Sequence, residues 1–282
     1  VEKKMLEENQ KPTIGVLLHS FFVIPFIIAV VAVLLFTGMK LLTAERKTVY
    51  DYVTDIKIGG KSKRWQAAFE LSKLLKNPKN IPTNARFVQE MKDVFRESIH
   101  DDVRVRDYMA MAMGRTGQLV YEDDLLTALQ SKEESSLIAI VTALGLLKSD
   151  RAIPYFERLF QSKGAPLRLA IVMALGDIGS LQAIPTLQKA LKDEEHNVCW
   201  DAAVVLAQLK NAEGKPILKN LLDRRYWAGY ANVNREEQNR AIMVAIQSAM
   251  LLNDSDLNLL IKDLAQNDTN IEVRKVALRV LK

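Results

Sequence analysis

The chain repeats itself every 31 residues. Pro154, Pro185 and Pro216 keep that step, and so does a helical signature read at Ala112-Met113-Gly114, Ala143-Leu144-Gly145, Ala174-Leu175-Gly176 and Val205-Leu206-Ala207. A fixed period of this size marks stacked supersecondary units, each unable to bury its apolar face alone and each completed by its neighbour. The period therefore points to a solenoid. Each unit reads as two helices. The leading one carries apolar residues at helical spacing, and the second opens near a proline, whose missing N–H costs nothing in a first turn. Leading helices open at Arg64-Trp65, Val105-Arg106, Leu167-Arg168 and Val273-Arg274. The predicted fold class is all-α.

Taken whole, the pattern V-R-x-x-A-x-x-A-L-G-x-x-G followed by A-x-P-x-L resembles HEAT repeats, and its short period is most similar to their bacterial, PBS-lyase-like form. The likeness spans residues 60–282 and is strongest from Asp150 to Leu191, where Ala152-Ile153-Pro154, Ala183-Ile184-Pro185 and the run Ala174 to Gly179 match. The resemblance implies an α-solenoid of helix pairs that serves as a scaffold or adaptor for protein partners, without a cofactor. It also leaves an alternative open, an enzyme or chaperone acting on a tetrapyrrole or another bound small ligand. HEAT-like iron hydroxylases hold metal through repeated His-Glu pairs, and this sequence has none.

Ahead of the repeats lies a run of 27 residues, Thr13 to Met39, without Asp, Glu, Lys or Arg. As a helix it would extend roughly 40 Å, against about 30 Å of bilayer hydrocarbon. Signal-peptide apolar regions are shorter and end in a small-residue cleavage site, which Lys40 to Arg46 lacks. A retained transmembrane helix is predicted, with Pro25 kinking it. The expected organisation is a tail over 1–12, the span over 13–39, a juxtamembrane helix or stalk over 40–59, and the solenoid over 60–282. Lys40, Arg46, Lys47 and Lys57 follow the span, and the positive-inside bias points to a cytoplasmic solenoid, with a periplasmic one as the alternative.

The rhythm fails once. From Ala207 to Leu251 the step is 44, and from Leu251 to Lys282 it is 31 again, so 13 residues enter around Asp223 to Glu237. Insertions in solenoids map to loops, often on the binding face. This one carries Arg224, Arg225, Tyr226, Trp227, Tyr230 and Arg235, the residue types enriched at interface hot spots. They read either as a protein interface or as a plug folded back on the solenoid. Arg158 and Lys189, 31 apart on successive second helices with Lys192 and Lys219 nearby, suggest a shallow basic groove for an acidic segment; solvated surface charge is the alternative.

Catalytic constellations are missing from the sequence. His19, His100 and His196 are far apart, and no P-loop, dinucleotide fingerprint or nucleophile elbow is present. Asp101-Asp102 and Asp123-Asp124 read as carboxylates at helix starts. Cys199, the single cysteine, reads as a small buried side chain. The net charge of +5 comes from 39 basic and 34 acidic residues interspersed along the chain, so no nucleic-acid partner is expected. These readings predict a non-enzymatic, membrane-anchored adaptor. Its expected partners are the lipid bilayer and integral-membrane protein through the span, and a soluble protein or domain through the solenoid. Its expected setting is an accessory subunit of a bacterial transporter, protease or respiratory assembly.

Overall fold

The computed structural model describes residues 19–43, 47–130, 134–161 and 164–282. The chain divides between Thr48 and Val49 into two compact units. In the first, a π-helical turn, His19–Val23, runs into α1, Ile24–Thr43. Pro25 stands at this changeover, where its missing N–H removes the α-helical bond to the Phe21 carbonyl. Phe21–Met39 is a stretch of 19 residues with mean hydropathy 2.8, none of it buried within the unit. It would rise roughly 28 Å, close to the thickness of the hydrocarbon core. The helix is thus long and apolar enough to cross a membrane, a property that signal sequences share. The tail over 1–12, and the start of the expected span up to residue 18, lie outside the described residues.

The second unit is helical throughout its described residues. Its leading helices are α3 (Lys61–Leu74), α5 (Val103–Arg115), α7 (Glu134–Leu146), α9 (Ala165–Ile178), α11 (His196–Gln208), α13 (Arg235–Met250) and α15 (Ile271–Val280). Between them come α4 (Ala85–Glu97), α6 (Glu122–Ala128), α8 (Ile153–Phe160), α10 (Ile184–Ala190), α12 (Lys215–Leu222) and α14 (Ser255–Asn267). Each leading helix packs on the next to form one layer, and each second helix packs against the leading helix that follows it. Side-chain caps start several of them: Asn84, Asp102, Asp254 and Asn270 each accept from a backbone N–H of the first turn.

The structure gives the repeated signature a steric cause. A Cβ on Gly114 would lie 2.6 Å from the Cα of Ala143, and one on Gly145 would lie 2.8 Å from the Cα of Ala174. The third residue of the signature in one layer therefore meets the first residue of the signature in the next. Both must be small for the two backbones to approach this closely. At the next step the neighbour of Gly176 is the side chain of Val205, with Cγ2 at 2.8 Å from the added Cβ.

A second periodic feature ends the leading helices. Gly117, Lys148, Gly179 and Lys210 have φ of 65°, 54°, 74° and 58°, and they keep the 31-residue step. Each reverses the chain after a helix, and at the two lysines the following N–H returns to a carbonyl five residues back: Ser149 to Leu144 at 3.1 Å and Asn211 to Leu206 at 2.8 Å. A side chain in this backbone conformation is strained, and glycine is not. Lys148→Gly and Lys210→Gly are each expected to raise stability by about 0.5–1 kcal/mol. The check is a higher urea midpoint at an unchanged m-value.

The next left-handed residue is Asn253, with φ 49°, 43 positions after Lys210. Measured this way the interruption is 12 residues rather than 13, because Met250, three before the left-handed residue, is the counterpart of Ala207 where the spacing alone selects Leu251. The extra length is shared. The loop 223–234 joins α12 to α13, and α13 itself has 16 residues where α5, α7 and α11 have 13.

The expected stalk over 40–59 is also revised. Residues 44–46 lie outside the described residues, but Val49–Ile58 forms a helix, α2, inside the solenoid unit. Val49, Val53 and Ile56, which share one face at helical spacing, are buried in the core. Tyr50 meets Phe87 edge-on at 5.6 Å and accepts a 2.5 Å hydrogen bond from Asn84. Lacking the repeat signature, α2 acts as an end piece that covers α3 and α4, as a terminal repeat must. Buried apolar residues form two clusters, one from Val49 to Leu206 and the other from Ala203 to Ala277, which meet in α11.

Candidate functional site

The insertion opens on an ion pair. Arg224 donates from Nε and Nη2 to the two oxygens of Asp268, both at 2.8 Å, and the Asp268 side chain is fully buried. Burial opposes ionisation of this carboxyl. Hydrogen bonds from Arg224 and the Asn270 amide, with the charges of Arg224 and Arg274, outweigh it and hold its pKa below the usual value. The chain then makes a 3-10 turn, Tyr226–Gly229, which drives Trp227 inward. Trp227 is 2% exposed, donates from Nε1 to the Leu221 carbonyl at 3.0 Å, and packs on Trp200 of α11 with ring centroids 5.1 Å apart.

Three more rings close the cluster. Trp200 Nε1 donates to the Tyr226 hydroxyl at 3.2 Å, and the Tyr226 and Tyr230 hydroxyls lie 2.6 Å apart. His196 stacks on Trp200 at 5.9 Å and meets Tyr230 edge-on at 4.9 Å. Burial, followed by the bond to Tyr226, pushes the Tyr230 phenol up to about 12, so it stays neutral.

Of the two readings of the insertion, Trp227 and Arg224 follow the self-packed one. An interface residue must be reachable, and Trp227 belongs to the core instead. Tyr226 and Tyr230 are half-buried, tied to each other and to α11. Arg225 and Arg235 remain exposed, Arg225 folded onto Asp223 at 2.8 Å. The second-helix face also departs from the expected basic groove. Lys189 pairs with Glu157 at 2.7 Å, Lys219 with Asp256 at 2.8 Å, and Arg158 covers the Tyr155 ring at 4.8 Å. The carboxylates come from neighbouring layers, so the face is a mixed-sign ladder with little net charge to offer an acidic segment.

By folding back, the insertion builds a cleft of about 480 Å³ against α11 and α13. Trp200, Trp227, Val204 and Val233 give it apolar walls, while Asp201, Glu237 and Arg240 line it with charge. Glu237 is held by the capping box of α13, where it accepts from the Asn234 N–H at 3.0 Å, and Arg240 pairs with Glu236 at 3.3 Å. Asp201 is different. It is half-buried and makes no hydrogen bond or ion pair among the described residues, and burial alone raises its pKa. Sequence reasoning missed it, although a signal was there. Steps of 31 place Tyr108, Ala139 and Ala170 at this position in the preceding repeats, none of them charged, and Asp201 introduces a carboxylate.

A larger cleft, of about 920 Å³, lies between α4 and α7. Its carboxylates already face cations: Asp124 pairs with Arg96 and Asp101 with Arg64, each at 2.6 Å. Asp102 caps α5, and Asp123 and Asp124 sit in the first turn of α6. Cys199 donates to the Asp193 carbonyl at 2.9 Å, and burial, with the Asp193 charge, pushes its thiol up, away from the reactive thiolate form.

Residues 156–229 match the family model of HEAT repeats. No curated protein matches the chain. Among solved structures, it is similar to the complex of CpcE and CpcF of phycocyanin lyase from Nostoc sp. PCC7120, at 20% identity and TM-score 0.58 over 85% of this chain and 88% of that one. It is also similar to the Escherichia coli protein YibA, at 15% identity and TM-score 0.54 over 86% and 84%. At such identities the likeness shows the fold alone. The unit from Val49 to Lys282 is an α-solenoid, and its middle carries HEAT repeats.

Proposed function

We propose that the chain is a membrane-anchored HEAT-repeat scaffold, an accessory subunit that holds a soluble protein or domain beside an integral-membrane partner. The observation that carries this reading is the pairing of two elements in one chain. One is a 19-residue apolar helix whose side chains find no burial in its own unit, and the other is a repeat solenoid. A hydrocarbon environment is what such a helix lacks in water. Solenoids supply extended surfaces to protein partners. The ion-paired charges of the larger cleft and the raised thiol of Cys199 give no poised acid, base or nucleophile, which favours a scaffold over an enzyme.

The test is fractionation of the tagged full chain, followed by intact mass. The expected result is a protein that resists carbonate extraction, keeps the 19–43 segment, and purifies in mild detergent with one partner at fixed stoichiometry. Recovery in the soluble fraction, or loss of the apolar segment by cleavage, would sink the anchor. A monomer recovered from membranes without a stoichiometric partner would sink the accessory-subunit reading.

A further inference from the structure

We propose that the cleft between α11, α13 and the insertion binds a cationic side chain, lysine or arginine, presented by an extended segment of the protein partner. This deepens the scaffold reading, on which it rests, by naming the chemistry that the docked partner must carry. Three observations support it. The first is Asp201, a carboxylate left without a partner in a half-buried position. Burial disfavours its charged form, a cost that a positive charge brought alongside would offset. The second is the wall beside it. Half-buried Trp200 lines the same cleft, and an indole favours a cation as well as the methylene stem of a long basic side chain. The third is the departure from the repeat. Alanine serves this position in the two preceding layers, so the fold does not need a carboxylate here.

Charge complementarity selects the occupant. Among its lining residues the cleft presents two carboxylates, Asp201 and Glu237, against one cation, Arg240, which also meets the exposed Glu236 at 3.3 Å. The surfaces contributed by α9, α12 and the insertion are neutral: Leu169, Leu221, Asn232 and Val233. An acidic segment would meet an uncompensated carboxylate. An apolar one would bury Asp201 without a donor. A basic side chain satisfies both, and a space of about 480 Å³ accommodates it together with its flanking backbone. Bringing a positive charge to Asp201 also reverses the effect of burial, favouring the ionised form.

The experiment titrates the full chain in detergent with capped pentapeptides, Gly-Gly-Xaa-Gly-Gly, in which Xaa is lysine, arginine, norleucine or glutamate. Fluorescence of Trp200 reports occupancy, with Trp200→Phe as the control that loses the signal. Saturable binding of the lysine and arginine peptides is expected, at least tenfold tighter than norleucine, with none for glutamate. Asp201→Ala should abolish that preference while raising Tm by about 2–4 °C, since it restores the residue of the neighbouring repeats. Asp201→Asn, which keeps the shape, should lose at least tenfold in lysine-peptide affinity. Norleucine binding equal to lysine, unchanged binding by Asp201→Ala, or no saturation with any peptide would overturn the proposal. A lower Tm for Asp201→Ala would make Asp201 structural and overturn it too. Binding of spermidine without binding of any peptide would remove the protein partner. Peptide binding does not depend on the anchor, so either this proposal or the membrane reading can fail while the other stands.

Discussion

Trp227→Ala is expected to destabilise the protein by about 3–5 kcal/mol, the usual loss for emptying a buried aromatic site. The substitution removes the ring that fills the space between Leu221 and Trp200 and leaves the Leu221 carbonyl without its donor. The damage should be local. Trp227 belongs to the second apolar cluster, which runs from Ala203 to Ala277, while the first cluster extends back to Val49 through a different set of side chains. Solenoid layers depend on their immediate neighbours. Amide hydrogen exchange should therefore show lost protection in α12 to α15 with α3 to α7 unchanged. Tyr230→Ala, at a half-buried ring, should cost less. An unchanged melting temperature for Trp227→Ala would return this residue to the surface and revive the interface reading of the insertion.

What was legible in the sequence was whatever repeats between neighbours. Gly114, Gly145 and Gly176 recur because each meets the start of the next signature, so one contact geometry writes itself into the chain at every layer. The two helices per unit, the order of layers and the place of the interruption followed from that. The fate of the interruption did not. Trp227 and Tyr230 are polar-tipped aromatics, equally suited to a partner and to a core. Their choice was made by His196 and Trp200, which lie a whole repeat earlier and carry no mark of the pairing. The same holds for the second helices. Arg158 and Lys189, 31 apart, read as a basic groove with Lys219 nearby, yet Lys189 and Lys219 are both ion-paired. Their partners Glu157 and Asp256 come from layers on opposite sides, at separations of 32 and 37 residues, and follow no column. Helix α2 was misplaced because an end piece needs one apolar face and no signature. Asp201 was readable in principle, as the one carboxylate in the column Tyr108, Ala139, Ala170 and Asp201, once the columns were set side by side.

Arg224 and Asp268 provide the second large effect, and it has an opposite pH signature to that of Asp201. Arg224→Ala leaves a fully buried carboxylate unpaired and is expected to cost about 3–5 kcal/mol near neutral pH. Folding lowers the Asp268 pKa, so the stability it contributes is complete above the pKa of the unfolded chain and is lost as pH falls through the folded one. The gap between wild type and Arg224→Ala should accordingly be widest at neutral pH and shrink as Asp268 is protonated in acid. Asp201 runs the other way. Burial raises its pKa, so its neutral form suits the fold at low pH and its charge opposes the fold as pH rises through the folded pKa. Asp201→Ala should therefore gain stability over wild type as the solution moves from acid to neutral. Urea denaturation of both variants across that range separates the two carboxylates. One is ionised by the fold, in a pair that fastens the insertion to the loop before α15. The other sits where burial disfavours its charge, a cost that the proposed basic side chain would offset.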